Sequence, residues 1–128
     1  FMNPLPDDTL RYTKGEAFEY HVNTPTNLEM PYMGNCSGFF HIYAAQGEAG
    51  VKNNPYFTPG NLKVAQRVVE LQKKYGCSIT QVVVGFFYHQ PFTCVPLYGP
   101  ACPEHIIDAC GTLDVPFTTA DYEMLLAD

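Results

Sequence analysis

Five cysteines, Cys36, Cys77, Cys94, Cys102 and Cys110, together with His41, His89 and His105, are the side chains here best suited to hold a metal or attack a substrate. Thiolate and neutral imidazole are the usual ligands of zinc and similar ions. The cysteines are odd in number and include no Cys-x-x-Cys pair, so their spacing announces neither a zinc cage nor a disulfide framework. They are expected to be reduced and to pack as small hydrophobes, with the histidines at helix ends and no metal site. Cys102 stands at a helix start, where a thiolate is favoured, although plain packing is the simpler role. The run Phe39-Phe40-His41-Ile42-Tyr43 could wall a substrate pocket or fold its own side chains onto a rim, and both readings stay open.

The elements that must position these groups come from a chain of 128 residues with 46% hydrophobic content, enough for one domain with a core. The net charge of -6 and the seven scattered Lys and Arg residues argue against a nucleic-acid or anionic-membrane partner. Lys63, Arg67, Lys73 and Lys74 lie along one helix among polar neighbours and read as a solvated face. The longest apolar run, Val82-Val83-Val84-Gly85-Phe86-Phe87, falls far short of the roughly 20 residues that a bilayer span needs, and no basic-then-apolar leader opens the sequence. A soluble, cytoplasmic protein is expected.

Residues 1–10 carry two prolines and two aspartates and read as a loop. Thr13 with Glu16 has capping-box spacing and opens a helix over 14–22. Residues 28–33 form a short, mainly apolar strand, and 34–58, with Gly38, Gly47, Gly50 and Pro55, read as a long loop. Thr58 caps a helix over 59–75 that has Pro59 at its first position and Gly76 as its stop. Ser78 and Gln81 open a well-buried helix over 78–89, which His89-Gln90-Pro91 ends. A second strand over 93–98 and helices over 103–110 and 119–127 complete an α/β pattern.

Two parallel strands joined by helices are too few. A two-stranded sheet is marginal in water, and both strands would present unpaired edges. Either more of the same chain or a partner must cover them.

Lys74-Tyr75-Gly76, then Ser78-Ile79-Thr80-Gln81-Val82 with the hydrophobic helix that ends at His89-Gln90-Pro91, resemble an ordered set of motifs in the aldo-keto reductase family. Val95-Pro96-Leu97-Tyr98-Gly99-Pro100-Ala101-Cys102-Pro103-Glu104-His105-Ile106 is similar to that family's Ile-Pro-Ile-x-Gly-x-x-x-Pro-Glu-His-Leu, and Leu113-Asp114-Val115 with Thr118-Thr119-Ala120-Asp121 to its closing segment. Met30-Pro31-Tyr32-Met33-Gly34-Asn35-Cys36-Ser37-Gly38 is similar to the strand that ends in Tyr-Ser and a glycine-containing loop.

The resemblance implies the carboxy-terminal part of a (β/α)8 TIM barrel, contributing strands seven and eight with their helices, whereas a whole barrel runs to about twice this length or more. It also implies a cofactor, NADP(H) or NAD(H), used to reduce a small carbonyl substrate by hydride transfer. Carried over residue by residue, Tyr32, Met33, Gly34, Asn35, Ser37 and Gly38 take the nicotinamide and pyrophosphate side. Leu97, Tyr98, Gly99, Pro100, Ala101, Glu104, His105 and Asp108 take the adenosine side, where a helix start offers free N–H groups to an anion. Tyr98 could stack on the adenine or simply cap a core.

The sequence also departs from its relatives. Met33 stands for a usual Ser, Ala101 for an Arg or Ser, Leu97 for a Lys of some branches, and Ala109 for an adenine-facing Asn. Each loss removes a contact worth about 1 to 3 kcal/mol when ionic. The family's catalytic Asp, Tyr, Lys and His would lie upstream, so no catalytic residue is nominated and the chain alone should be inactive. The alternative is a non-catalytic half-barrel that self-associates, its nucleotide site decayed.

Overall fold

Helix α4, Ile79–Tyr88, lies at the centre because nearly every side of it is apolar: eight of its ten residues, from Ile79 to Phe87 with only Gln81 outside the set, are buried. It belongs to a computed structural model that describes residues 15–127. The readings of 1–10 as a loop and of Thr13 as a cap lie outside the described residues. Around α4 stand α2 (Phe39–Val51), α3 (Pro59–Tyr75), α5 (Pro103–Cys110) and α6 (Thr119–Leu126), with 3-10 turns at Cys36–Gly38 and Gly111–Asp114, while α1 (Glu16–Asn23) packs Phe18 against Phe92. Phe39, Phe40, Val68, Leu71, Val82, Val83, Phe86 and Leu125 form the fully buried centre. Each large side chain removed from water contributes about 1.5–3 kcal/mol.

Local chemistry sets the helix ends. Thr58 Oγ1 accepts the Asn61 N–H at 3.2 Å, Pro59 opens α3, and Gly76 ends it at φ 62, a conformation that favours glycine. Ser78 Oγ accepts the Gln81 N–H at 3.0 Å while Gln81 Oε1 accepts the Ser78 N–H at 3.1 Å, a reciprocal cap on α4. The Ser78 hydroxyl also donates to Asp108 Oδ2 at 2.8 Å, fastening α5 to the same cap. Ser78→Ala is therefore expected to cost about 1–2 kcal/mol of stability in chemical denaturation; a change below half of that would show that the cap does not hold α5.

Two expectations need correction. Residues 34–58 are not one long loop, because α2 occupies Phe39–Val51. Its glycines conceal it, yet Phe39, Phe40 and Val51 are wholly buried, and that packing holds the helix despite a break at Gly47 (φ 66). The expected strands 28–33 and 93–98 make, among the described residues, only one isolated parallel bridge, Glu29 with Cys94, and no regular strand, and the first bends at 32–33. The Glu29 N–H donates to the Thr93 carbonyl (3.0 Å), Val95 N–H to the Glu29 carbonyl (2.9 Å) and Leu97 N–H to the Pro31 carbonyl (3.0 Å). Pro31 has no N–H to give to the Val95 carbonyl, so the ladder loses that bond between its second and third rungs. The expected α/β sheet is thus reduced to a parallel contact beside a helical layer, and α6 ends at Leu126, one residue short of the expected 127.

Alternation along the paired segments separates two faces. Glu29, Pro31 and Cys94 are buried toward the helices, whereas Leu28, Met30, Tyr32, Val95 and Leu97 are exposed on the opposite face. No helix among the described residues is long and apolar enough to cross a membrane.

Candidate functional site

Parallel pairing has one consequence for function. Because Leu97 N–H reaches the Pro31 carbonyl in a parallel register, the chain leaves both segments at the same end, carrying 32–38 and 98–105 away together. In sheets crossed by helices, the carboxyl ends of parallel strands are where ligands bind. The two groups of residues singled out from the sequence therefore share one end of the fold.

The first group sits on a strained turn. Met33, Cys36 and Ser37 all have left-handed backbone, φ 61, 49 and 51, and Gly38 follows at φ 77. Each non-glycine residue there costs about 1–3 kcal/mol and is kept by its surroundings. The Cys36 N–H donates to the Met33 carbonyl at 2.8 Å and the Gly38 N–H to the Asn35 carbonyl at 3.0 Å. Gly34 lies beneath the Phe87 ring so closely that a Cβ would fall 2.7 Å from two of its carbons. Tyr32 projects outward with 78% of its surface exposed. Asn35 Oδ1 is buried and accepts no hydrogen bond.

The second group surrounds the start of α5. Leu97, Gly99, Pro100 and Ala101 are exposed and Tyr98 is half-buried. The Ala101 N–H donates to His105 Nδ1 at 3.3 Å, so the ring proton of neutral His105 sits on Nε2. Glu104 receives its own backbone N–H and the Cys102 thiol, which hold its carboxyl below the usual carboxylate range. Asp108 accepts from Ser78, and its carbonyl accepts from Gln81 Nε2 at 3.1 Å.

At this end the exposed Tyr32 ring could face the planar ring of a dinucleotide, and no Lys or Arg occurs anywhere in 77–127 to meet its phosphates.

Several polar arrangements were not legible beforehand. Asp121, only 5% exposed, accepts from Lys74 Nζ at 2.6 Å, Tyr75 Oη at 2.6 Å and Thr118 Oγ1 at 2.7 Å. Tyr, Lys and Asp meet here, but the phenol proton is already given to Asp121, and the cluster fastens α6 to α3. Glu29 is buried beside Cys94, whose thiol donates to it at 3.3 Å. Burial first, and Glu29 second, push that thiol up to about 12, and burial pushes Cys36 up to about 11, so neither is a nucleophile at neutral pH. His41 Nε2 lies 3.0 Å from Thr80 Oγ1, and burial lowers its pKa despite the opposing charge of Asp108. His89 lies between the Gly85 and Phe117 carbonyls. Among the described residues, no group of three or more His, Cys, Asp and Glu side chains could hold a metal ion.

No curated protein and no solved structure matches the chain. The model of the aldo/keto reductase family matches residues 10–127, which includes both paired segments and every helix that surrounds them. With a match across nearly its whole length, the chain belongs to the aldo/keto reductase family.

Proposed function

We propose that this chain is the cofactor-binding, carboxy-terminal part of a cytoplasmic, NAD(P)H-dependent aldo-keto reductase that reduces a small carbonyl compound, and that it is inactive without the preceding part of the barrel. Family membership makes it part of an oxidoreductase and implies a TIM barrel; 28–33 and 93–98 would be strands seven and eight. The observation that carries the finer reading is the parallel contact whose outer face, Leu28, Met30, Tyr32, Val95 and Leu97, is left uncovered. Apolar side chains alternating along paired segments need a partner layer, and in a closed barrel that layer is the packed interior.

When bound, the cofactor supplies the hydride. The residues of this chain would bind and orient it: the exposed Tyr32 would flank its planar ring, and Gly34, closed down by Phe87, would fix the turn that presents Tyr32. The proton delivered to the carbonyl oxygen would come from residues of the preceding strands.

Carbonyl-dependent oxidation of NADPH and NADH tests the reading. The 128-residue chain alone is expected to give none, and mixing it with the preceding half of the barrel is expected to restore turnover. Turnover by the chain alone, or none on reconstitution into a folded complex, would overturn it. The same uncovered face favours one alternative, a self-associating half-barrel without activity. Sedimentation separates the two: a tight homodimer that the preceding half fails to displace supports the alternative.

A further inference from the structure

We propose that His41 is an acid-sensitive latch: while its ring is neutral it holds the first half of α2, and the turn 33–38 joined to it, against Thr80 of α4, and a second ring proton loosens that hold. His41 Nε2 lies 3.0 Å from Thr80 Oγ1, a hydroxyl on a residue that is only 5% exposed. The other ring nitrogen, Nδ1, is buried and has no hydrogen-bond partner. A neutral imidazole meets Thr80 in either tautomer, because the hydroxyl can donate to a bare Nε2 or accept from Nε2–H. The imidazolium has two N–H donors. The one on Nδ1 would be shut away from water without an acceptor, which costs more for a charged group than for a neutral one. His89 is the opposite case, since the carbonyls of Gly85 and Phe117 face both of its nitrogens and a second proton there finds an acceptor.

Residues 39–46 can move as one piece. Gly38 precedes them at φ 77 and Gly47 interrupts α2 at φ 66, so both ends of the segment sit at glycine breaks where the backbone can adjust. Phe39 and Phe40 remain wholly buried anchors, and the latch therefore changes how often the segment opens, not whether the protein folds. Among the described residues, the charged groups that act on His41 both come from α5: Asp108 favours the imidazolium and His105 opposes it. The turn Cys36–Gly38, α3 and α4, which pack against α2, add none, and α4 faces the ring with the neutral Thr80 hydroxyl. Burial outweighs Asp108, so the ring takes its second proton less readily in the fold than in the unfolded chain. A histidine depressed in this way stabilises its contacts fully above the unfolded value of about 6.5, and the benefit is lost as pH falls from there through the lower folded value. Where the turn 33–38 serves the dinucleotide, as proposed above, the same proton weakens cofactor binding; the latch itself does not rest on that reading.

Hydrogen–deuterium exchange of the whole chain, with the intrinsic pH dependence of exchange divided out, tests the latch without any nucleotide. Between about pH 7.5 and about pH 5.5, protection of the amides in 34–46 is expected to fall about threefold or more, while that of α3 and α6 holds. His41→Gln, which keeps a donor for Thr80 but cannot titrate, should abolish the fall. In the unsubstituted protein the His41 ring, followed by NMR, should titrate below the free value of about 6.5, a readout that stands even where the variant does not fold. Titration at or above that value, protection in 34–46 that does not change with pH, an equal fall in α3 and α6, or a fall that survives in a folded His41→Gln would each overturn the latch.

Discussion

Asp121→Ala is expected to lower the stability of the protein by about 2–4 kcal/mol, as measured by urea unfolding at neutral pH. Lys74 contributes little of this, because its side chain is 56% exposed and water screens the pair. The larger share comes from the Tyr75 hydroxyl, whose hydrogen bond to a buried carboxylate is worth about 1.5–3 kcal/mol. Loss of the reciprocal cap on α6 adds about 1 kcal/mol, since Thr118 Oγ1 accepts the Asp121 N–H and the Asp121 carboxylate accepts the Thr118 N–H. Burial alone would raise this carboxyl, but the hydrogen bonds from Lys74, Tyr75 and Thr118 outweigh it and hold the group well below the usual range. A carboxyl depressed in the folded state stabilises the fold fully above its unfolded value of about 3.9, and the benefit is lost as pH falls through the folded value. The unsubstituted protein should therefore lose stability below about pH 4 along a limb that the alanine variant lacks. A cost under about 1 kcal/mol, or matching acid limbs, would show that α6 is held by its apolar contacts alone.

The same cluster shows where sequence reasoning stops. Lys74-Tyr75 and Thr118 with Asp121 each stand out locally, one as the last turn of a helix and the other as a cap, but 46 positions separate Tyr75 from Asp121. Caps are legible because donor and acceptor lie three residues apart; this is why the starts of α3 and α4 follow from Thr58 and Ser78. Helix α2 was hidden for the opposite reason. Its glycines lower its intrinsic preference, and only the burial of Phe39, Phe40 and Val51, a tertiary effect, outweighs them. The extended segments were visible as apolar runs, yet the missing N–H of Pro31 interrupts what apolarity alone would have made strands.

The candidate site was visible as residue types and not as geometry. Met33, Cys36 and Ser37 carry no local mark of their left-handed backbone, which the ladder at one end of the turn and the Phe87 ring over Gly34 impose.

Gly85→Ala is expected to destabilise the protein by roughly 2–3 kcal/mol, although in an ordinary helix interior the same change stabilises by about 1 kcal/mol. Gly85 lies buried within α4, where a Cβ would overlap the Tyr122 hydroxyl and come within 2.9 Å of Phe117 Cδ2. Neither ring has an easy retreat. Tyr122 is 3% exposed, packs edge-on against Phe86 and Phe117, and donates its hydroxyl proton to the Val82 carbonyl at 3.1 Å. Relieving the overlap therefore breaks that hydrogen bond or moves α6 away from α4. Tyr122→Phe removes the obstructing oxygen at the cost of about 1 kcal/mol for the lost bond, so the double variant Gly85→Ala with Tyr122→Phe should be more stable than Gly85→Ala alone. Thermal unfolding of the four proteins in that cycle measures the coupling. If the two substitutions add independently, the glycine is required for a reason other than the close approach of Tyr122.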